Sequence, residues 1–169
     1  SEKPVSNMFD LSPEPVPTFT REVEHWANTY IQKFYNYPPR PSLNPHEAIF
    51  MLRAFSSSSD KTERDILECI LHKLLESYRF FPEYRDRNLC IAAQIFGGMV
   101  EHHIITHKKL DIVLQQILQS LNQHINSNMF WFGVTVLNGF KTKIKEYPEF
   151  CRQMIRIPHF FRLPAHLIE

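Results

Sequence analysis

The sequence predicts an all-α fold. Three observations carry that prediction. From Thr18 onward apolar residues recur at three- and four-residue spacing, helix-start signals stand at the head of those segments, and prolines close several of them. A length of 169 residues fits one domain and suffices to bury a real hydrophobic core. With 14 phenylalanines and 13% aromatic residues, the apolar surface to be buried is large.

Residues 1–17 stand apart. Pro4, Pro13, Pro15 and Pro17 leave little room for helical hydrogen bonds, so this stretch reads as an extended arm docked through Met8, Phe9 and Leu11. Residues 18–169 read as one helical domain. The first helix is expected from about Thr20 to Tyr37, with Val23, Trp26, Ala27, Tyr30, Ile31, Phe34 and Tyr35 in the spacing of one face and Pro38, Pro39 and Pro41 ending it. Asn44-Pro45-His46-Glu47 announces the second: Asn44 caps, Pro45 suits the first helical position, and Glu47 closes a capping box. Asp60 and Glu63 repeat the start signal for a third helix. Its apolar residues are Ile66, Leu67, Ile70, Leu71, Leu74, Leu75 and Tyr78, and Pro82 closes it. Asp86 is expected to cap the fourth, which is apolar almost all round from Leu89 to Val100 and so belongs in the middle of a stack. The fifth carries Leu110, Val113, Leu114, Ile117, Leu118 and Leu121. The sixth is expected from about Ser127 to Lys145, Pro148 opens a seventh, and helical turns around His159 to Leu163 finish the chain.

All four glycines (Gly97, Gly98, Gly133, Gly139) fall inside these helical patterns. Glycine costs a helix roughly 1 kcal/mol relative to alanine, so close approach of a neighbouring helix is expected to compensate. Antiparallel helices with short links predict stacked helical pairs, a HEAT-like solenoid with degenerate repeats, since no clean sequence period is visible.

Composition excludes several functions. A formal net charge of +1 argues against nucleic acid as the main ligand. Cys69, Cys90 and Cys151 are odd in number and far apart in apolar contexts, which reads as free buried thiols of an intracellular protein. No run approaches the roughly 18 unbroken apolar residues of a membrane helix. No signal peptide opens the chain, and Ser1 in place of Met suggests a piece of a longer protein. His103 and His107 have the spacing of two zinc ligands on one helix face. However, Ile104 stands where a zinc protease needs Glu, no third ligand is evident, and the segment lies where helix four gives way to a loop. Ser56–Ser59 is a polar linker, and there is no glycine-rich phosphate loop. Neither catalysis, metal nor cofactor is expected.

Tyr and Phe residues cluster at helix ends beside prolines, as Phe34-Tyr35-Asn36-Tyr37-Pro38-Pro39 and Tyr78-Arg79-Phe80-Phe81-Pro82-Glu83-Tyr84. If helices one and three are parallel neighbours, these ends form an aromatic-walled groove suited to an amphipathic peptide helix, with some of the rings filling the core instead. The blocks Ala27-Asn28-Thr29-Tyr30, Tyr35-Asn36, Pro38-Pro39, Tyr78-Arg79-Phe80-Phe81-Pro82 with Tyr84, Phe96-Gly97-Gly98 and Lys145-Glu146-Tyr147-Pro148 closely resemble one family. It is the central scaffold subunit of the CCR–NOT deadenylase complex, in its tristetraprolin-binding middle domain, and the resemblance runs from about Arg21 to Ile168.

The resemblance implies a HEAT-type domain of the initiation-factor middle-domain kind. It implies recruitment of deadenylation, mRNA decay and translational repression through short helical motifs of RNA-binding repressors. The setting it implies is the cytoplasm, including P-bodies, and the nucleus, with other CCR–NOT subunits held by the rest of the parent chain. The family's groove positions fall on Ile31, Tyr35 and Tyr84, with Ile31 in place of an aromatic. A family carboxylate that meets a partner arginine falls on Ser77, which cannot make that ion pair, while the adjacent Glu76 points about 100° round the helix. A competing reading is a helical scaffold that contacts RNA or a helicase through the basic C-terminal face of Lys141, Lys143, Lys145, Arg152, Arg156 and Arg162.

Overall fold

The computed structural model describes residues 9–12, 15–35 and 43–168, and among these the secondary structure is helical with no strand. The α-helices are α1 (Arg21–Phe34), α2 (Pro45–Ser56), α3 (Lys61–Ser77), α4 (Asp86–Glu101), α5 (His107–Leu121), α6 (Asn128–Gly139), α7 (Pro148–Ile155) and α8 (Ala165–Ile168). Short 3-10 segments occupy Tyr78–Glu83, Lys141–Glu146 and Phe160–Arg162. The chain divides into two compact units, one built on Pro13–Phe80 and the other on Phe81–Glu169 together with the residues before Pro13.

In the first unit α3 packs against both α1 and α2. Helix starts are fixed by side chains that accept the otherwise unpaired first-turn amides. Thr20 Oγ1 accepts from Val23 N–H at 3.1 Å, and Asp60 Oδ1 accepts from Thr62 N–H at 2.8 Å. Asn44 and Glu47 form the full reciprocal capping box, at 2.8 and 3.1 Å. The first helix stops at Phe34, with Tyr35 as its C-cap; Tyr37 and Pro38 lie outside the described residues. Trp26, one of the residues in the apolar spacing of this helix, is 40% exposed. The buried stripe is Val23, Ala27 and Phe34, and Trp26 sits about 100° from Ala27.

In the second unit α6 packs on α4 and on α5, and α5 on α7. α4 is buried along much of its length, with Leu89, Ala92, Ala93, Ile95, Phe96, Gly97, Met99 and Val100 all buried. Helices α4 and α6 run in the same direction. Their first halves face each other through Leu89, Cys90, Trp131 and Phe132, their last turns meet at Gly97 and Gly139, and Thr142 Oγ1 donates to Glu101 Oε1 at 3.0 Å just beyond. The glycines account for this closeness. A Cβ on Gly97 would stand 3.0 Å from Gly139 Cα, one on Gly139 would stand 2.9 Å from Gly97 Cα, and one on Gly133 would meet Leu121 and Ser120 of α5 at 3.1 Å. Phe81, Phe96 and Phe132 form a triangle of edge-to-face rings with centroids 5.2 to 5.7 Å apart, the heart of this unit's core.

Three expected details are corrected. Asp86 is the first residue of α4 rather than its cap; Arg85 holds the cap position without a side-chain bond. The sixth helix ends at Gly139, not Lys145. Phe140 turns to φ −128°, ψ 29°, which buries its ring against Phe150 at 6.1 Å, and the chain continues as a 3-10 segment. In the arm, Phe9 is buried as expected but Leu11 is exposed, and Met8 lies outside the described residues.

Candidate functional site

Ile31, Tyr35, Glu76 and Ser77 belong to the first unit and Tyr84 to the second. Ile31 sits half-buried in the last turn but one of α1, and its carbonyl accepts from the Tyr35 amide at 3.3 Å. That bond sets Tyr35 as the C-cap, with φ −87° and ψ 3°, and the ring is 6% exposed with its hydroxyl buried. Glu76 is exposed at the end of α3. Ser77 is half-buried and its Oγ donates to Lys73 O at 2.7 Å, so the hydroxyl is engaged on its own helix. In the second unit the Tyr84 amide donates to Phe81 O at 3.0 Å, and its half-buried ring lies 4.9 Å from that of Phe81. Phe80 and Phe81 divide between surface and core: the first is exposed, the second fully buried.

Sequence reasoning missed part of this surface. On α1, the exposed Trp26 and half-buried Tyr30 stack one turn apart with centroids 6.0 Å apart, and Tyr30 meets Phe55 of α2 edge-on at 5.7 Å. Lys33 Nζ stands 5.7 Å from the Tyr30 ring centroid. The i, i+4 spacing was visible, but it equally fits a core stripe, and only packing tells the two apart. In the second unit α4 and α6 border a groove of about 240 Å³ lined by Leu89, Cys90, Ala93, Trp131 and Phe132. Cys90 is exposed, against the expectation of three buried thiols: it lines this groove as an exposed residue, whereas Leu89 and Ala93, which also line it, are buried. Cys69 is buried and Cys151 half-buried. Burial pushes both thiols up; at Cys69, Lys73 opposes the effect and Glu24 adds to it.

The other candidates resolve plainly. His103 lies in the loop after α4 at φ 56° and His107 opens α5 at φ 53°, so the two do not share a helix face. His103 Nε2 approaches Glu146 Oε1 at 3.8 Å. Among the described residues no group of three His, Cys, Asp or Glu side chains is placed to hold a metal. The basic face is interleaved with acid: Lys143 lies 3.7 Å from Glu146, and Arg152 donates twice to the mostly buried Glu149, at 2.8 and 3.0 Å. No described helix is long and apolar enough to cross a membrane.

Comparison with known proteins adds to this geometry. The family model for the TTP-binding domain of CCR4-NOT transcription complex subunit 1 matches residues 1–169. The chain belongs to this family. It is 30% identical over 150 residues to the CCR4-NOT transcription complex subunit let-711 of Caenorhabditis elegans, covering 89% of the chain and 6% of that protein. It is 29% identical over 141 residues to the general negative regulator of transcription subunit 1 of Schizosaccharomyces pombe, covering 83% of the chain and again 6% of the relative. The chain thus spans about 6% of the length of these curated relatives. A solved structure of the N-terminal domain of yeast Not1 superposes with a TM-score of 0.81 at 23% identity, covering 94% of the chain and 29% of that structure. The stacked-helix fold predicted from the sequence is shared with that neighbour.

Proposed function

We propose that this chain is a non-catalytic docking domain that binds short amphipathic helical motifs of tristetraprolin-like RNA-binding repressors. As part of a CCR4-NOT scaffold subunit it brings the complex to messenger RNA in the cytoplasm, P-bodies included, for deadenylation, mRNA decay and translational repression. The observation that carries this reading is the match of a family named for TTP binding along residues 1–169. Ile31 and Tyr35 serve as apolar anchors, Tyr84 contributes a further aromatic contact, and Glu76 and Ser77 set the polar preference of the site. The partly exposed Ile31, beside the Trp26–Tyr30 pair, supports an apolar recognition surface on α1.

The test is titration of the chain with a fluorescent amphipathic peptide from a tristetraprolin-like repressor. Saturable binding is expected, weakened roughly tenfold or more by Ile31→Ala and by Tyr84→Ala, as for residues central to an interface. Tyr35→Ala is to be read beside its thermal unfolding, since Tyr35 is buried. Unchanged binding in all three variants would sink the assignment. Steep salt dependence toward single-stranded RNA, lost on neutralising Lys141 and Lys143, would point to the RNA-contacting scaffold instead.

A further inference from the structure

Residues 9–12 are held on α5 by a small polar clasp. The Phe9 ring is buried. The Asp10 amide donates to Asp111 Oδ2 at 3.0 Å, and Lys108 Nζ donates to Ser12 Oγ at 3.1 Å. Ser12 closes the turn on itself: its hydroxyl donates to Asp10 Oδ1 at 2.6 Å and its amide to the same oxygen at 3.3 Å. These bonds, with Lys108 nearby, hold the Asp10 carboxyl below its usual range. Ser12 is exposed, and Ser12-Pro13 is the one Ser-Pro or Thr-Pro dipeptide in the chain.

We propose that Ser12 is a phosphorylation site for a proline-directed protein kinase, and that phosphorylation releases residues 9–12 from α5. In the transfer, Ser12 Oγ bonds to the γ-phosphorus of ATP as that phosphorus breaks its bond to the ADP oxygen. The hydroxyl proton passes to the kinase's catalytic carboxylate. The phosphoserine then carries a charge of about −1.5 to −2 and has no proton to offer Asp10. Ser12 touches the ammonium of Lys108 and the carboxylate of Asp10, and a second carboxylate, Asp111, accepts from the Asp10 amide. The new charge stands directly against the Asp10 carboxylate, and the hydroxyl bond that closes the turn is gone. The burial of Phe9 and the bond from the Asp10 amide to Asp111 then hold the segment with less help from the turn.

The experiment incubates the chain with a purified proline-directed kinase and labelled ATP, then follows hydrogen exchange at the Asp10 amide. Label is expected on the chain and is expected to vanish in Ser12→Ala. Phosphorylation is expected to speed Asp10 exchange roughly fivefold at low salt, the factor for about one unscreened like-charge contact at close range. The acceleration should shrink in high salt and in Asp10→Asn, where the carboxylate that Ser12 touches is gone. No incorporation, or equal incorporation in Ser12→Ala, overturns the site. Unchanged or slower Asp10 exchange in the phosphorylated chain overturns the release.

Discussion

Replacing Gly97 or Gly139 by alanine tests whether the α4–α6 crossing is as close as the structure shows. In an ordinary helix either change would stabilise, because alanine gains up to about 1 kcal/mol over glycine. Here the added methyl meets backbone. At Gly97 it would stand 3.0 Å from both Gly139 Cα and Val136 O, and at Gly139 it would stand 2.9 Å from Gly97 Cα, about half an ångström inside the 3.4 Å at which ordinary contact begins. Backbone cannot swing aside as a side chain can, so the helices must part. A gap of half an ångström forfeits roughly a quarter of the attraction of each contact it opens, and the Phe96–Phe132 pair spans the same two helices. Overpacking of this kind costs about 1–3 kcal/mol. Net of the propensity gain, each variant should lose up to about 2 kcal/mol, or up to roughly 8 °C in melting temperature for a chain of this size. Thermal unfolding followed by circular dichroism reads the shift. The double variant should cost less than the two singles together, since parting the helices once makes room for both methyls. A rise in melting temperature for either single variant would refute the close crossing.

Asn44→Ala removes one half of the α2 capping box and should cost about 1 kcal/mol in chemical denaturation, while Asn44→Asp should be nearly neutral. Alkylation should label Cys90 first, with Cys151 and then Cys69 following only as the pH climbs past the ordinary thiol range near about 8.5, because burial raises their values and keeps them protonated. The same raised values make the folded state hold those protons more tightly than the unfolded one. Stability should therefore fall as pH rises through and above the unfolded thiol value, which melting temperatures across that range would show. Ser77→Glu should tighten binding of an arginine-bearing repressor peptide by up to about fivefold at low salt, the range of a solvent-screened ion pair, and leave an arginine-free peptide unchanged.

The parts of the fold legible in the sequence were those decided locally. Asn44 and Asp60 cap because their side chains reach amides two or three residues away, whatever the rest of the chain does. The glycines were informative for a related reason: their cost inside a helix is local, so it demanded a close neighbour, and Gly97, Gly133 and Gly139 each have one. The parts that failed depend on tertiary packing. Phe140 and Ile144 continue a helical period, yet the chain breaks at Phe140 to seat its ring on Phe150. Trp26 and Cys90 share segments with buried residues but turn about one residue's rotation away from them, toward solvent and toward the α4–α6 groove. Ile31, Tyr35, Glu76, Ser77 and Tyr84 came from resemblance to a family; the apolar pattern alone does not separate a groove-lining ring from a core ring.

In the proposed docking mode, partner preference turns on Ser77. The resemblance to the family implies a carboxylate at this point, placed to meet an arginine of the peptide. Here a hydroxyl stands in its place, and it already donates to Lys73 O of its own helix. A hydroxyl so engaged offers an incoming guanidinium one neutral acceptor at most, without the charge that makes such a bond strong. Glu76 supplies a charge one residue earlier, but it is exposed and displaced by about 100° around α3, where solvent screens it. In the proposed docking mode the favourable free energy would then come mainly from apolar contact around the half-buried Ile31, which salt leaves almost untouched. A peptide chosen by this chain should therefore be ranked by its apolar anchors, and the salt dependence of its binding should be shallow unless position 77 is given a carboxylate.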